Sequence, residues 1–195
     1  MNTALFFDTE TTGLPNWKLP SDDESQPHLV QLATILADLD TGKVISSLDL
    51  IIKPDGWEIP QETIDIHGIS NELAHDVGVP EEKALDMILS LWIGGRTQDF
   101  HRRVAHNRTF DQRIIRIACK RYQATPVVEE WANKDTFDCS MLQARSLMKH
   151  LPEPGKGSLA SAYLHFCGKE IEGAHNAMVD TRACMDLYLA MNRAA

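Results

Sequence analysis

The chain has 195 residues, 43% of them hydrophobic and 24% charged, with 11 Gly and 9 Pro, which excludes collagen-like, low-complexity and disordered chains. One domain is expected at this length, burying roughly 70% of the surface its unfolded chain exposes, and no apolar run approaches the roughly 18 residues of a membrane span. The net charge of −9 leaves no overall basic surface of the kind phosphate binders usually carry.

The N-terminus (MNTALFFDTE) lacks a basic start and soon reaches an acid, so no signal peptide is expected and the location is read as cytoplasmic. The alternating run Ala4–Phe7 predicts a first strand, stopped by Thr11-Thr12-Gly13. A polar, Pro-punctuated segment through Pro27 predicts a long loop. Leu29–Ala37 and Val44–Ile52 read as strands separated by Asp40-Thr41-Gly42, a hairpin turn. Helices are expected after Pro60 and after Pro80, the second carrying acids in its first turn and ending at Gly94-Gly95. Arg103–Ala105 predicts a short strand, Phe110–Tyr122 a helix and Thr136–Phe137 another strand. Helices near 139–149 and 158–167 follow, and Asn176–Arg193 is the last helix. Three strands as a meander, then strands alternating with helices, predict a mixed sheet with helices packed on it, an α/β domain over residues 1–195.

Cys119, Cys139, Cys167 and Cys184 lie 17 to 28 residues apart with no CxxC pair, so four buried free thiols are expected. Charge is unevenly spread: residues 96–121 sum to +6, leaving −15 elsewhere. That window is either a patch that draws a polyanion to one face or a solvated face of salt-bridged side chains.

Several carboxylates stand where apolar residues belong. On the first strand Ala4, Phe6, Asp8 and Glu10 share one face. Two like charges about 7 Å apart repel, and one takes up a proton unless a cation lies between them; an ordinary solvent-facing strand end is the alternative. On the last helix, with 100° per residue, Asp180 falls within about 80° of Ala177, Cys184, Leu187, Tyr188 and Met191, opposite Arg182, Asp186 and Arg193. An ion in the apolar stripe requires a metal, a buried Arg or a helix end to partner it. Asp111 projects with Ile115, Ala118 and Tyr122, away from Arg113, Arg116 and Lys120, unless it serves only the helix dipole. Hard oxygen ligands from separate segments select Mg²⁺ or Mn²⁺ over zinc, and such a charge suits two ions about 3.5–4 Å apart in phosphoryl displacement. His175, five residues before Asp180 and outside the helix proper, can act as a base toward water.

FDTETTGL (7–14), AHNRTFD (105–111) and HNAMVD (175–180) resemble, in order, the three motifs of the DEDDh, or DnaQ-like, 3′–5′ exonucleases. IDIHGIS (64–70) and GSLASAYLHFCG (157–168) resemble further segments, so the likeness covers most of the chain. It implies a ribonuclease-H-like fold: a mixed five-stranded sheet, three strands antiparallel and two parallel, flanked by helices. It also implies removal of nucleoside 5′-monophosphates from 3′ ends. By motif match Asp8, Glu10 and Asp180 hold one Mg²⁺, Asp8 bridges to a second with Asp111 assisting, and His175 is the general base. Thr11, Gly13 and Leu14 would touch the terminal nucleotide, with Leu14 wedged against its base, and His67 and Asn107 would line the same groove. Single-stranded DNA is the favoured substrate, with RNA ends or a short oligoribonucleotide as alternatives.

The segment Asn16–His28 departs from the compact family pattern in length and in its acidic run Asp22–Glu24, which bears on substrate access. Trp17 within it is either a stacking residue or a loop anchor; Trp57, Trp92 and Trp131 are expected in the core or partly exposed. Two rival readings are a non-catalytic nucleic-acid-binding module and a two-carboxylate glycosidase. The first predicts missing ligands, and the second leaves Asp111, Asp180 and His175 unexplained. The chain stops after its last helix without a polymerase-binding tail, so a freestanding nuclease is expected.

Overall fold

The computed structural model describes residues 2–94, 101–123, 125–150 and 157–193. In chain order the elements are β1 (Thr3–Thr11), β2 (Leu29–Asp38), β3 (Val44–Ile51), α1 (Gln61–His67), α2 (Asn71–Val77), α3 (Glu81–Gly94), β4 (His101–Ala105), α4 (Arg108–Tyr122), α5 (Thr125–Ala132), β5 (Phe137–Cys139), α6 (Ser140–Met148), α7 (Leu159–Cys167) and α8 (Ala177–Arg193). They form one five-stranded sheet, ordered β3-β2-β1-β4-β5. β1, β2 and β3 pair antiparallel while β4 and β5 run parallel to β1, the mixed arrangement expected.

β1 lies at the centre because both its faces are covered. Ala4 and Phe6 pack against Cys184, Met185 and Tyr188 of α8, with the Phe6 and Tyr188 rings edge to face at 5.6 Å. Leu5 and Phe7 enter the larger cluster with Leu85, Ile88 and Trp92 of α3, Ile114 and Ile115 of α4, and Trp131 of α5. At 25 cal/mol per Å², full burial of each large side chain here is worth about 1.5–3 kcal/mol.

Two boundaries differ from the sequence expectation. The helical stretch after Pro60 is two short helices, divided where Gly68 turns left-handed (φ 76°) and donates its N–H to Ile64 O, after which Ser70 Oγ accepts from Leu73 N to start α2. α5 carries no strong sequence signal: its two adjacent Val residues are poor helix formers and its Pro126 suggests a turn. Proline costs nothing in a first turn, where N–H groups lack partners anyway, and burial of Val128 and Trp131 supplies the rest. The thiols are free as expected, but Cys139 and Cys167 are only half-buried. Gly95, Arg96, Asp99 and Ala195, which entered the sequence reading, lie outside the described residues.

Among the described residues the basic window does not form a single patch. Arg102 pairs with Asp138 at 2.7 Å, and Arg121 meets Glu81 at 3.3 Å while donating to the carbonyls of Gln26 and Pro27. Arg108 donates to Phe137 O and Arg113 to Leu19 O. Arg103 is wholly buried, its guanidinium 3.7 Å from the Phe137 ring centroid and 4.3 Å from that of Trp92, donating to Trp131 O, Asn133 O and Thr136 Oγ1. It thereby caps the C-terminal end of α5, whose last carbonyls have no helical partner. A planar fork of five donors suits that task, which explains why arginines rather than lysines crowd this stretch.

Truncation of Arg103 removes these carbonyl bonds and the aromatic stacking together. Arg103→Ala is expected to lower unfolding free energy by about 3 kcal/mol or more, measured by denaturant titration, with Arg103→Lys recovering only a minor part. A loss below about 1 kcal/mol for Arg103→Ala would contradict this account of α5.

Candidate active site

The alternation that buries Ala4 and Phe6 against α8 continues to Asp8 and Glu10, while the apolar stripe of α8 reaches its first turn at Asp180. Packing of this strand on this helix therefore forces three carboxylates together. One oxygen from each of Asp8, Glu10 and Asp180 lies within 4.8 Å of the others, and all three residues are half-buried. Among the described residues no lysine, arginine or histidine side chain forms an ion pair with them.

Asp111 arrives from the other face. β4 stops pairing with β1 at Phe6–Val104, and beyond that point the Asp111 carboxylate takes over the open edge, Oδ1 accepting from Thr9 N at 3.1 Å and Thr9 Oγ1 at 2.8 Å. It stands outside the three-acid group yet near enough to act on it. Burial, then Asp111, Asp180 and Glu10 in turn, hold the Asp8 carboxyl well above the usual carboxylate range. Burial and the charges of Asp180 and Asp111 push Glu10 up to about 8. Burial pushes Asp111 to about 7 against its Thr9 bonds, and burial also raises Asp180, against the His175 N–H and the charge of the His175 ring.

The entry to α8 is held by polar bonds. His175 is exposed, lies in the left-handed region (φ 66°), and donates its backbone N–H to Asp180 Oδ2 at 3.0 Å. Asn176 Oδ1 accepts from Met178 N and Val179 N, capping the helix. Gln31, buried and directly opposite Glu10 in the β1–β2 register, accepts from Ala177 N at 3.0 Å through Oε1 and donates to Asp49 through Nε2. Sequence reasoning missed Gln31 and Asn176; the Asn before an apolar helix was a capping signal, whereas Gln31 has none.

The remaining sequence candidates sit as follows. The register shift between Glu10 and Thr11 is a bulge at the rim of the acid group, a common device for re-aiming side chains. Thr11 Oγ1 donates to Gly13 O at 2.7 Å, and the next residue, Leu14, is 83% exposed. His67 is buried; its Nδ1 accepts from Ile69 N, leaving Nε2 buried without a hydrogen-bond partner among the described residues, and burial favours its neutral ring. Asn107 is exposed in the left-handed region (φ 60°), four residues before Asp111. His175 and Asn107 are the only non-glycine residues with positive φ among those described, and each leads into a helix whose first turn carries one of these acids.

An all-oxygen donor set of this charge fits a divalent cation. In metal-free protein the raised folded pKa of Glu10 means that its contribution is present below the unfolded value near 4.5 and is lost as pH rises through about 8. Metal-free protein should therefore lose on the order of 1–3 kcal/mol between pH 5 and 9, read by denaturation in chelator, and Mg²⁺ should restore more of it at the higher pH. Asp8→Asn should raise the melting temperature of the metal-free protein at pH 8, because it removes one charge from the repelling set; a lower melting temperature would contradict the repulsion.

The family model described as RNase_T, exonuclease, matches residues 5–188. Among solved structures, Escherichia coli Exonuclease I in complex with a dT13 oligonucleotide superposes with a TM-score of 0.72 at 22% identity over 97% of this chain and 40% of that one. Exonuclease I from Methylocaldum szegediense gives 0.72 at 24% identity, over 99% and 41%. The nuclease domain of 3′hExo, a DEDDh family member bound to rAMP, gives 0.72 at 11% identity over 100% of this chain and 93% of that domain. This chain thus spans about two fifths of the length of Exonuclease I, and no curated protein matches it. The fold is ribonuclease-H-like, and with the family model covering nearly all of the sequence, the chain belongs to the RNase_T, or DEDDh, family of exonucleases, phosphodiester hydrolases.

Proposed function

We propose that residues 1–195 act as one 3′–5′ exonuclease domain that removes nucleoside 5′-monophosphates from single-stranded nucleic acid, DNA favoured, with two Mg²⁺ ions that Mn²⁺ can replace. The observation that carries this reading is the convergence of Asp8, Glu10 and Asp180, with Asp111 beside them, where among the described residues no lysine or arginine pairs with them. Asp8, Glu10 and Asp180 would hold the ions, Asp111 assisting through the oxygen that Thr9 leaves free. The ions supply positive charge that lowers the pKa of water and stabilises the departing 3′ oxygen.

His175 is exposed on its loop, so its ring is free to take the proton from the attacking water while its backbone N–H orients Asp180. Leu14 presents an apolar side chain to the terminal base next to Glu10. Thr11 and Gly13 shape the turn behind it, and the orphaned Nε2 of His67 together with Asn107 offers polar contacts to the terminal nucleotide. Single-stranded DNA is favoured by the likeness to E. coli Exonuclease I, seen with dT13 and with dA16. The second reading, RNA ends, is favoured by 3′hExo, which matches over most of its domain and binds rAMP. No described helix is long and apolar enough to cross a membrane, in keeping with a cytoplasmic enzyme.

Matched single-stranded DNA, double-stranded DNA and RNA, each labelled at the 3′ end, test the reading. Mg²⁺-dependent release of 5′-monophosphates, fastest on single-stranded DNA and abolished by EDTA, is expected. Asp180→Asn should reduce kcat by about a thousandfold and His175→Ala by about 10²–10⁴ with the fold retained. Undiminished hydrolysis by Asp180→Asn would overturn the assignment of the acids, and kcat/KM higher on RNA would overturn the DNA preference.

A further inference from the structure

The segment between β1 and β2 is ordered by a dense set of internal bonds, yet it holds an aromatic ring out toward solvent. Gln26 is buried, accepting from Asn16 N at 3.0 Å and donating to Asn16 O at 3.0 Å and Pro20 O at 2.9 Å. Asn16 Oδ1 in turn accepts from Lys18 N, and Leu19 N donates to Asn16 O, closing a turn with Trp17 at its corner. Arg113 of α4 fastens the turn from outside through Leu19 O at 2.6 Å. Despite this anchoring Trp17 remains 56% exposed. A loop anchor would bury its ring; this one is presented.

Trp17 forms one wall of a cleft of about 160 Å³ with Thr109, Arg113 and Arg116 of α4 and with Lys134 beyond α5. Thr109, Arg113 and Arg116, at spacings of four and three, lie on one outer face of α4, starting at the end that also carries Asp111. The Arg113 guanidinium stands 5.9 Å from the Trp17 ring centroid, and its Nε is buried without a partner among the described residues. Asp22 is near enough to offset part of the Arg113 charge. The Arg116 and Lys134 side chains are exposed and form no ion pair or hydrogen bond among the described residues. Trp17 lies seven positions after Glu10, at most about 25 Å of extended chain, so the cleft is within a few nucleotides of the acids.

We propose that this cleft binds the single strand on the 5′ side of the nucleotide being removed, Trp17 stacking on an unpaired base while Arg116 and Lys134 meet backbone phosphates. The proposal rests on the exonuclease reading for its direction along the strand, but its chemistry is its own. A half-exposed indole beside free cations matches the aromatic and basic elements of single-strand binding surfaces. A paired complementary strand would not serve, because its bases are already stacked within a duplex. The loop that departs from the compact family pattern thus acts as the part that measures strand length and strandedness.

The test uses the whole chain with labelled oligothymidylate and oligouridylate of about 12 nucleotides, Ca²⁺ replacing Mg²⁺ to slow turnover. Trp17→Ala should raise Kd about tenfold, with Trp17→Phe restoring most of the affinity. The Arg116→Ala, Lys134→Ala double variant should reduce the slope of log K against log salt by about 1.4, about 0.7 per phosphate contact. In Mg²⁺, the KM advantage of the long oligonucleotide over a dinucleotide should shrink about tenfold in Trp17→Ala. A loss confined to one oligonucleotide supports the cleft and names its ligand. Unchanged Kd and unchanged salt slope in both variants, with melting temperatures preserved, overturn the cleft even if the protein hydrolyses DNA normally. Trp17-dependent binding without Mg²⁺-dependent hydrolysis overturns the nuclease reading and leaves the cleft standing.

Discussion

Mutual repulsion among carboxylates pressed together by an apolar contact is the constraint around which the molecule is organised. Ala4 and Phe6 on β1 must meet Cys184, Met185 and Tyr188 on α8 for that side of the sheet to be covered. The same contact carries Asp8 and Glu10 into the first turn of α8, where Asp180 stands. Apolar burial worth several kcal/mol thus holds like charges where they would not gather by themselves. Burial first, and the neighbouring charges after it, raise the proton affinities of Asp8 and Glu10, and a divalent cation among them would offset both.

Around this centre the protein uses polar side chains as fasteners where regular structure has run out. Asp111 completes the edge of β1 after β4 ends, Gln31 and Asn176 satisfy the opening N–H groups of α8, and Arg103 closes the end of α5. Each substitutes for a missing backbone partner; the first three fix elements that carry the acids, and Arg103 fixes α5, which packs on the helix bearing Asp111. The left-handed backbone at His175 and Asn107 belongs to the same scheme, because both residues turn the chain sharply into the helices that bear Asp180 and Asp111.

The arginine-rich stretch shows why residue counts mislead about surfaces. Arg103 looks like any other cation in the sequence, but it is enclosed by Trp92, Trp131 and Phe137. Arg102 and Arg121 are consumed by Asp138 and Glu81. Arg116, the one arginine described in this stretch whose side chain is exposed and unpaired, gathers with Lys134 from beyond α5 beside Trp17 rather than along one run of sequence.

The sequence by itself determined the strand order of the meander, the inward faces of β1, α4 and α8, and the oddity of Asp8, Glu10, Asp111 and Asp180 among apolar neighbours. Those properties follow from periods of 2 and 3.6 residues, which local stereochemistry imposes wherever a strand or helix forms. Only the tertiary structure decided that Asp111 comes to the open edge of β1 beside the other three acids, that Gln31, paired with Glu10 across the β1–β2 register, ties β2 to α8, that α5 exists, and that most of the arginines are spent internally. These depend on which segments meet across long sequence separations, such as Thr9 with Asp111 or Gln31 with Ala177, and no local period encodes the partner of a hydrogen bond.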